Sequence, residues 1–578
     1  MNKFLPTTRR ELDDRNWKQL DIIIVSGDAY VDHPSFGAAI LGRYLESIGY
    51  KVGIIPQPDW KSDKDFLELG VPRLFFGVTA GNMDSLVNHY TASKKIRSSD
   101  AFSPDGVVGL RPNRATIIYT QKLKTLFKNI PIIIGGIEAS LRRIPHYDYW
   151  SNKVRDSILL DSKADILVYG MAERPIKQIS ERLSSGENIA EISDIAGTVV
   201  RESGRVNYNY IQLPEFHRNY NENEYFQMHK VFLQHRNSSI LLQKSGSRIL
   251  KHNPPSAKLN EEEIDAVYNI DFQKRPHPRY EGSRIAAYEQ IKNSITSHRG
   301  CFGGCSFCAI SLHQGKGVQS RSAGSIIGEI AKLGGNDKFR GTVSDIGGPT
   351  ANMYGMFCRL GIDQECPRES CVYPDICSNL ETNHKSLLNL LKKSREISGV
   401  KNVFVASGLR FDLIKHEDEY LQEMCEHHIG GLLKLAPEHK SDKVLKLMNK
   451  PSFKIYENFV KKFRALNQRL GKRQFIVPYI IVGHPGSELK DTIELAVYLK
   501  KNRIKLEQVQ QFTPTPMTVS TMMYFTKKDL AGNSINVPEG RELRLQKALV
   551  QWYKPENRKL IMEALKQADR TDLSGFFA

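Results

Sequence analysis

The sequence predicts an α/β protein built from two parallel-sheet units: an N-terminal doubly wound parallel sheet, then a partial (β/α)6 barrel, with a C-terminal helical extension. Three observations predict it. Apolar runs in the first third are continuous rather than alternating, as strands buried on both faces require. Six strand-like runs in the second half each enter a glycine-rich or polar loop, and the C-terminal end carries helical periodicity. At 578 residues the chain exceeds what one core organises.

The first unit is predicted over 1–215. "LDIIIVSGDA" reads as a strand, and in "GAAILGRYLESIGYKVGIIPQ" Ile40/Leu41, Tyr44/Leu45 and Ile48 recur at helical spacing before Gly49 stops the helix and "KVGIIP" restarts a strand. Similar runs return at "RLFFGV", "IPIIIGGIEAS" and "ADILVYGMAE", so a doubly wound sheet follows. Residues 216–285, with "NYNENEY", "KHNPPSAKLNEEE" and "KRPHPRYEG", read as a structured linker.

The barrel is predicted over 286–530. Its strands are "NSITSH", "GTVSDI", "KNVFVAS", "GLLKLA", "QFIVPYIIV" and "LEQVQQF", and the loops after them are "RGCFGGC", "GGPTANMYG", "GLRFD", "PEHKSD", "GHPGSE" and "TPTPMT". Loops at the carboxyl ends of parallel strands converge on one face and build the site. Residues 531–578 read as two amphipathic helices separated by "KPEN".

Composition bounds the function. Hydrophobic content of 40% and charged content of 25% suit a soluble globular protein. The first residues are charged where a signal peptide has its apolar core, and no run of 18 apolar residues occurs, so a cytoplasmic chain without a membrane partner is expected. A net charge of +18 favours an anionic or RNA-like partner, although the basic residues are spread and serve equally as a solvated surface. No G-x-x-x-x-G-K-[ST], H-E-x-x-H or G-x-S-x-G is present.

All eight cysteines lie between 301 and 425, seven of them in two local groups, which reads as metal binding rather than a disulfide framework. Cys301, Cys305 and Cys308 offer three thiolates in one loop. Structural zinc usually takes four ligands. Three cysteines on a [4Fe-4S] cube leave one iron open to a small molecule. A zinc knuckle lacking its partner pair is the alternative.

The Cys-x3-Cys-x2-Cys spacing, with aromatic Phe307 before the last cysteine, resembles the signature of the radical S-adenosylmethionine (radical SAM) superfamily. The resemblance implies that Cys301, Cys305 and Cys308 are the catalytic metal ligands, that the fourth iron chelates SAM, and that an electron donor such as flavodoxin or ferredoxin drives formation of a 5'-deoxyadenosyl radical. It further implies that Gly347 and Gly348 of "GGPT" meet the SAM amino group, that Ser407 and Arg410 of "SGLR" meet its ribose or carboxylate, and that Gly483 of "YIIVGHPGSE" passes its adenine. An acidic residue often follows the glycine pair in that superfamily; here it is Pro349. With "CAISLHQGK", "APEH" and "VQQFTPTPMTVSTMMY", the likeness is to the YgiQ family and covers nearly the whole chain.

The second group, Cys358, Cys366, Cys371 and Cys377, has the four thiols that close a zinc site or a second iron-sulfur cluster, and is expected to hold metal. The N-terminal sheet resembles the cobalamin-binding domain that precedes some radical SAM barrels. The usual Asp-x-His-x-x-Gly motif is absent: Tyr30 stands at the histidine position after Asp28, and His33 lies four residues before Gly37. Cobalamin is therefore not expected. Two functions remain from the sequence: a radical SAM enzyme acting on an anionic or RNA-like substrate, and an iron-sulfur protein that binds RNA or relays electrons without cleaving SAM.

Overall fold

A computed structural model describes residues 4–203, 206–335, 338–414 and 418–577. In its first unit, strands β1 (Ile22–Ser26), β2 (Val52–Pro56), β3 (Phe75–Thr79), β4 (Ile132–Gly135) and β5 (Ile166–Val168) are parallel, in the order β2-β1-β3-β4-β5. Successive side chains point to opposite faces, and both faces are buried. Ile22, Ile24, Val52 and Phe75 join one cluster with Ala39 and Leu45 of α1 (Gly37–Ser47). On the other face Ile23, Val25, Phe76 and Ile134 pack with Ile117 and Leu123 of α2 (Ala115–Leu126). Helix α3 (Glu173–Ser184) returns to the first face through Ile176 and Ile179. This is the doubly wound arrangement the continuous apolar runs predict. The strand order reverses between β1 and β3, and ligands of open α/β sheets bind beyond the carboxyl ends at such a point.

The sheet does not stop at residue 215. Strand β6 (Thr198–Glu202) joins β5 antiparallel, and β7 (Ile211–Phe216), β8 (Leu241–Ser245) and β9 (Arg248–His252) extend it in the order β7-β8-β9-β6. Residues 216–252 thus belong to the first unit, which corrects the expected linker. The polar "NYNENEY" is a helix start, not a coil: Asn221 accepts from the N–H groups of Asn223 and Glu224, and Glu224 closes a capping box over helix Glu222–His235. Only 253–285 run outside the sheet, where Ile264, Val267 and Tyr268 pack on Ile40 of α1.

The barrel strands are β10 (Ser294–Thr296), β11 (Thr342–Val343), β12 (Asp345–Gly347), β13 (Asn402–Val403), β14 (Leu432–Glu438), β15 (Phe475–Val482) and β16 (Gln510–Gln511). They pair in parallel as β10–β12, β11–β13 and β14–β15–β16, with β11 and β12 forming one barrel position and a Leu409–Leu435 bridge joining its two halves. The outer layer is α4 (Ala323–Gly334), α5 (Lys385–Arg395), α6 (Asp418–Glu423), α7 (Phe453–Arg469) and α8 (Leu489–Lys501). Ile326, Leu387, Tyr420 and Phe463 carry these helices onto Val343, Val403 and Leu433 in one core. No pairing joins β10 to β16 among the described residues, so the barrel is partial, as predicted.

Helices α9 (Gly540–Val550) and α10 (Arg558–Gln567) pack Leu545, Leu549 and Ile561 against Ile493 and Ala496 of α8. They sit so close to the end of β15 that Gly483, at φ +75°, has no room for a side chain: a Cβ would lie 2.3 Å from Leu543 Cδ1. Its N–H donates to Gln546 Oε1 at 3.0 Å. We predict that Gly483→Ala lowers stability by about 1–2 kcal/mol through left-handed strain and overpacking; an unchanged urea midpoint would contradict this packing.

Candidate cofactor site at the barrel mouth

The Cys301–Cys308 loop leaves the end of β10 and runs into the short helix Ile310–His313. Two glycines shape it. Gly300, at φ +82°, lies so close to the Gly317 carbonyl that a Cβ would be 2.0 Å from its oxygen. Gly304, at φ +57°, sits in the same way 2.3 Å from the Glu369 oxygen. Only glycine fits either position.

Each thiol in this loop has a polar neighbour. Gly303 N–H donates to Cys301 Sγ at 3.4 Å, and the Thr350 hydroxyl lies 3.4 Å from the same sulfur. Ile310 N–H donates to Cys308 Sγ at 3.5 Å, and Arg410 Nη1 to Cys305 Sγ at 3.9 Å. Burial nonetheless pushes the Cys308 thiol up to about 12 and raises Cys301 as well, with neighbouring thiols adding to both. Without a metal the Cys301 and Cys308 sulfurs stay protonated; a bound metal would take them as thiolates.

The loops after β12 and β13 are sewn together beside the cysteines. Arg410 N–H donates to Asn352 Oδ1 at 2.8 Å, Asn352 Nδ2 returns a bond to the Arg410 carbonyl at 3.0 Å, and Ala351 N–H donates to the Gly408 carbonyl at 3.1 Å. Asp412 accepts from Arg410 Nη2 at 2.6 Å and from Nε at 3.0 Å, which aims the guanidinium at Cys305. Asp345 accepts from the N–H groups of Ala406 and Ser407 at 2.7 and 3.1 Å, and from the Ser407 hydroxyl. A Cβ on Gly347 would strike Ser407 Oγ at 2.3 Å, and one on Gly348 would strike the His298 ring at 2.5 Å.

The structure therefore brings Cys301, Cys305, Cys308, Gly347, Gly348, Ser407 and Arg410 to one place. Phe307 stands beside them, its ring edge-on to His484 with centroids 6.2 Å apart. Gly483 is not brought in: it faces Leu543, and His484 is the residue of its segment that meets the site. Sequence reading missed Asp345, Thr350, Asn352, Asp412 and His298. Of these only Asp345 had a local signal, a carboxylate two residues before the glycine pair.

The donor set, three cysteine thiols in one loop, is the set that a four-iron cube with one open iron takes. Among the described residues no three His, Cys, Asp or Glu side chains converge closely enough for a single ion. Tetrahedral zinc, with Zn–S near 2.3 Å, needs sulfurs about 3.8 Å apart. A cube holds its thiolates farther apart, and the space they ring is kept free at Gly303, where a Cβ would lie 3.2 Å from Cys301 Sγ, 3.8 Å from Cys305 Sγ and 2.9 Å from Arg410 Nη1.

A cavity of about 590 Å³ separates the carboxyl edge of the first sheet from the barrel mouth. Gly77, Thr79 and Gly136 line it on the sheet side, His298, Gly348 and Pro349 on the barrel side, and its walls are mostly apolar. His298 is buried, with Nδ1 2.9 Å from Ser297 Oγ and no hydrogen bond at Nε2. Burial lowers its pKa to about 4, against a smaller upward pull from the Thr350 main chain, so it is a neutral imidazole at pH 7. A smaller cleft of about 90 Å³ shares Gly170, Glu173 and His313 with this cavity and carries Arg143, Arg236, Lys316 and Arg368. Arg143 is buried, its Nη1 donating to the Ser140 carbonyl at 2.6 Å and its guanidinium 4.3 Å over the Tyr169 ring, with no carboxylate partner among the described residues. Burial lowers its pKa to about 10, which leaves it charged.

The segment from Asp28 to Gly37 sends no imidazole into the cavity. Asp28 pairs with Arg111 at 2.9 Å and accepts Asn82 N–H at 2.6 Å, while Tyr30 donates to Asp32 at 3.1 Å. His33 accepts Ser35 N–H at 3.1 Å and is not among the lining residues. The cavity does supply room at the sheet edge. The sequence case against cobalamin thus narrows to the missing histidine of that segment.

A partial barrel with three cysteines, a glycine pair and an arginine at its mouth defines a radical SAM enzyme, whose fold implies a [4Fe-4S] cluster and SAM. Residues 4–294 match the radical SAM N-terminal family, 295–499 the radical SAM superfamily, and 507–577 a domain of unknown function, DUF3362. The chain belongs to the UPF0313 family: it is 49% identical over 582 residues to UPF0313 protein GSU2873 of Geobacter sulfurreducens, spanning 99% of this chain and 96% of that one. It is 43% identical over 641 residues to UPF0313 protein YgiQ of Shigella flexneri, spanning 99% and 87%. Among solved structures, the radical SAM methyltransferase TsrM of Kitasatospora setae, with tryptophan and a SAM analogue bound, aligns at TM-score 0.48 and 13% identity over 86% of this chain and 75% of that one. The cobalamin-dependent radical SAM enzyme OxsB aligns at TM-score 0.49 and 10% identity over 98% and 73%.

We predict that Gly303→Val, which pushes a side chain between Cys301, Cys305 and Arg410, weakens iron retention about ten-fold or more while the chain stays folded. Full iron and sulfide content in the anaerobically reconstituted variant would contradict the cube.

Proposed function

We propose that this enzyme cleaves SAM reductively and applies the resulting radical to a small substrate whose apolar part occupies the cavity between sheet and barrel. The observation that carries this reading is the reach of that cavity: it touches the carboxyl edge of β3 and β4 on one side and His298 and Gly348 on the other. Cys301, Cys305 and Cys308 would hold the cluster, Gly347 and Gly348 would take the SAM amino group, and Ser407 with Arg410 would border it. Cluster and SAM together would supply one capability, reductive cleavage of the sulfonium, with the electron from a flavodoxin- or ferredoxin-type donor, to give a species able to take a hydrogen atom from substrate.

The remaining chemistry belongs to this chain's residues. Mostly apolar walls exclude water from a reactive radical and favour a substrate with an apolar body. Neutral His298 presents a polar edge at the wall. The cleft beside the cavity, where Arg143 has no carboxylate partner among the described residues, suits an anionic group on the same molecule. An RNA ligand is favoured only by the overall charge of +18. Among the described residues no helix is long and apolar enough to cross a membrane.

With dithionite and SAM under anaerobic conditions, the reconstituted protein is expected to release 5'-deoxyadenosine; an iron-sulfur RNA-binding or relay protein would release none. The low-molecular-mass fraction of a cell extract is expected to raise that rate and total RNA is not, and Gly77→Leu, which fills the cavity from the sheet side, is expected to abolish the stimulation. Stimulation by RNA alone would overturn the small-substrate reading. Hydroxocobalamin is expected not to be retained one-to-one, and tight stoichiometric retention would give the cavity to a second cofactor.

A further inference from the structure

Cys358, Cys366, Cys371 and Cys377 play no part in the site described above, yet the fold assembles them. Strand Phe357–Cys358 pairs antiparallel with Leu380–Glu381, setting Cys358 opposite Leu380, whose N–H donates to the Cys377 carbonyl at 2.9 Å. Cys377 N–H in turn donates to the Cys371 carbonyl at 2.8 Å. Lys316 Nζ pins the intervening chain through the carbonyls of Cys366 at 3.0 Å and Arg368 at 2.7 Å. Cys371 is buried, and Cys377 and Cys301 pack against the same apolar cluster as it does. All four are free thiols, although the chain fold has brought them together.

The cysteine-bearing loop is also welded to the first cysteine loop. Cys371 N–H donates to the Phe302 carbonyl at 3.0 Å, and Ser370 Oγ to the Gly303 carbonyl at 2.7 Å. Fully buried Phe302 packs with Cys371, Val372, Met353 and Met356. Gly304 meets Glu369 and Ser370 so closely that any side chain there would separate the loops.

We propose that Cys358, Cys366, Cys371 and Cys377 ligate a second iron-sulfur cluster of the [4Fe-4S] type, closed by four protein thiolates and seated against the loop of Cys301, Cys305 and Cys308. Four thiolates complete a cube and leave no iron open. Zinc is disfavoured by spacing: x7, x4 and x5 lack the tight pair of a zinc knuckle. The proposal does not depend on SAM cleavage or on the substrate reading.

The test uses the full-length chain reconstituted anaerobically with ferrous iron and sulfide. The native protein is expected to hold about eight iron and eight sulfide per chain, as two cubes require, whereas a single site would give about four. Cys301→Ala/Cys305→Ala/Cys308→Ala is expected to keep about four of each, with a Mössbauer spectrum of a [4Fe-4S] cluster and an EPR signal indifferent to SAM. Cys366→Ala/Cys377→Ala is expected to lose that half and keep the SAM-responsive one. About four iron in the native protein, an iron-free triple variant that remains folded by circular dichroism, or one zinc per chain in its place would each overturn the assignment; the native iron count stands even if a variant fails to fold.

Discussion

Three partly buried thiols in one short loop need a cation if they are to act together as thiolates, and the barrel mouth is arranged around that constraint. Main-chain N–H groups of Gly303 and Ile310 aim at two sulfurs, and Arg410 aims at the third. Arg410 is itself a buried charge, which Asp412 neutralises and orients. Asn352 then ties the arginine's backbone to the loop after the glycine pair, so Arg410 links the segment that would hold SAM to the loop that would hold iron. Removing any of these partners leaves a buried polar group exposed to the low dielectric around it.

The second constraint is where the two units meet. A doubly wound sheet presents its ligand-binding edge at the carboxyl ends of its strands, and so does a β/α barrel. In this chain the two edges face each other across a cavity whose walls come from β3, β4 and the loops after β10 and β12. Arg299 at the barrel side pairs with Glu173 at the sheet side at 2.6 Å, both buried, which fixes the approach of the units. The glycine pair at the barrel mouth thus borders, through Gly348, a cavity whose opposite wall is the edge of the other unit.

Much of this was legible in the sequence because the determining signals are local. Continuous apolar runs give buried parallel strands, and a three-cysteine spacing within one loop gives the first metal site. The boundary at 215 was misplaced because β7, β8 and β9 are short and partly polar, and because the Asn of a capping box reads as coil until the helix it caps is seen. Asp345, Asn352 and Asp412 were missed for a different reason: their importance lies in partners such as Ser407 and Arg410, and a hydrogen-bonded pair across the barrel has no periodicity to detect. Gly483 has a packing role against Leu543 that a sequence cannot separate from a cofactor role, because a glycine required by a nearby helix looks the same in one dimension. The interdomain cavity belongs to the packing of two units and has no sequence signature at all.

The central claim is that one iron of the first cube lacks a protein sulfur. Electron paramagnetic resonance of the dithionite-reduced protein, recorded before and after adding SAM, tests it most directly. The account predicts a clear change in the g values of one cluster signal as the nucleoside occupies the open iron. A spectrum that stays superimposable at saturating SAM would show that every iron is already capped by the protein, and the site built from Cys301, Cys305 and Cys308 would then serve some other end.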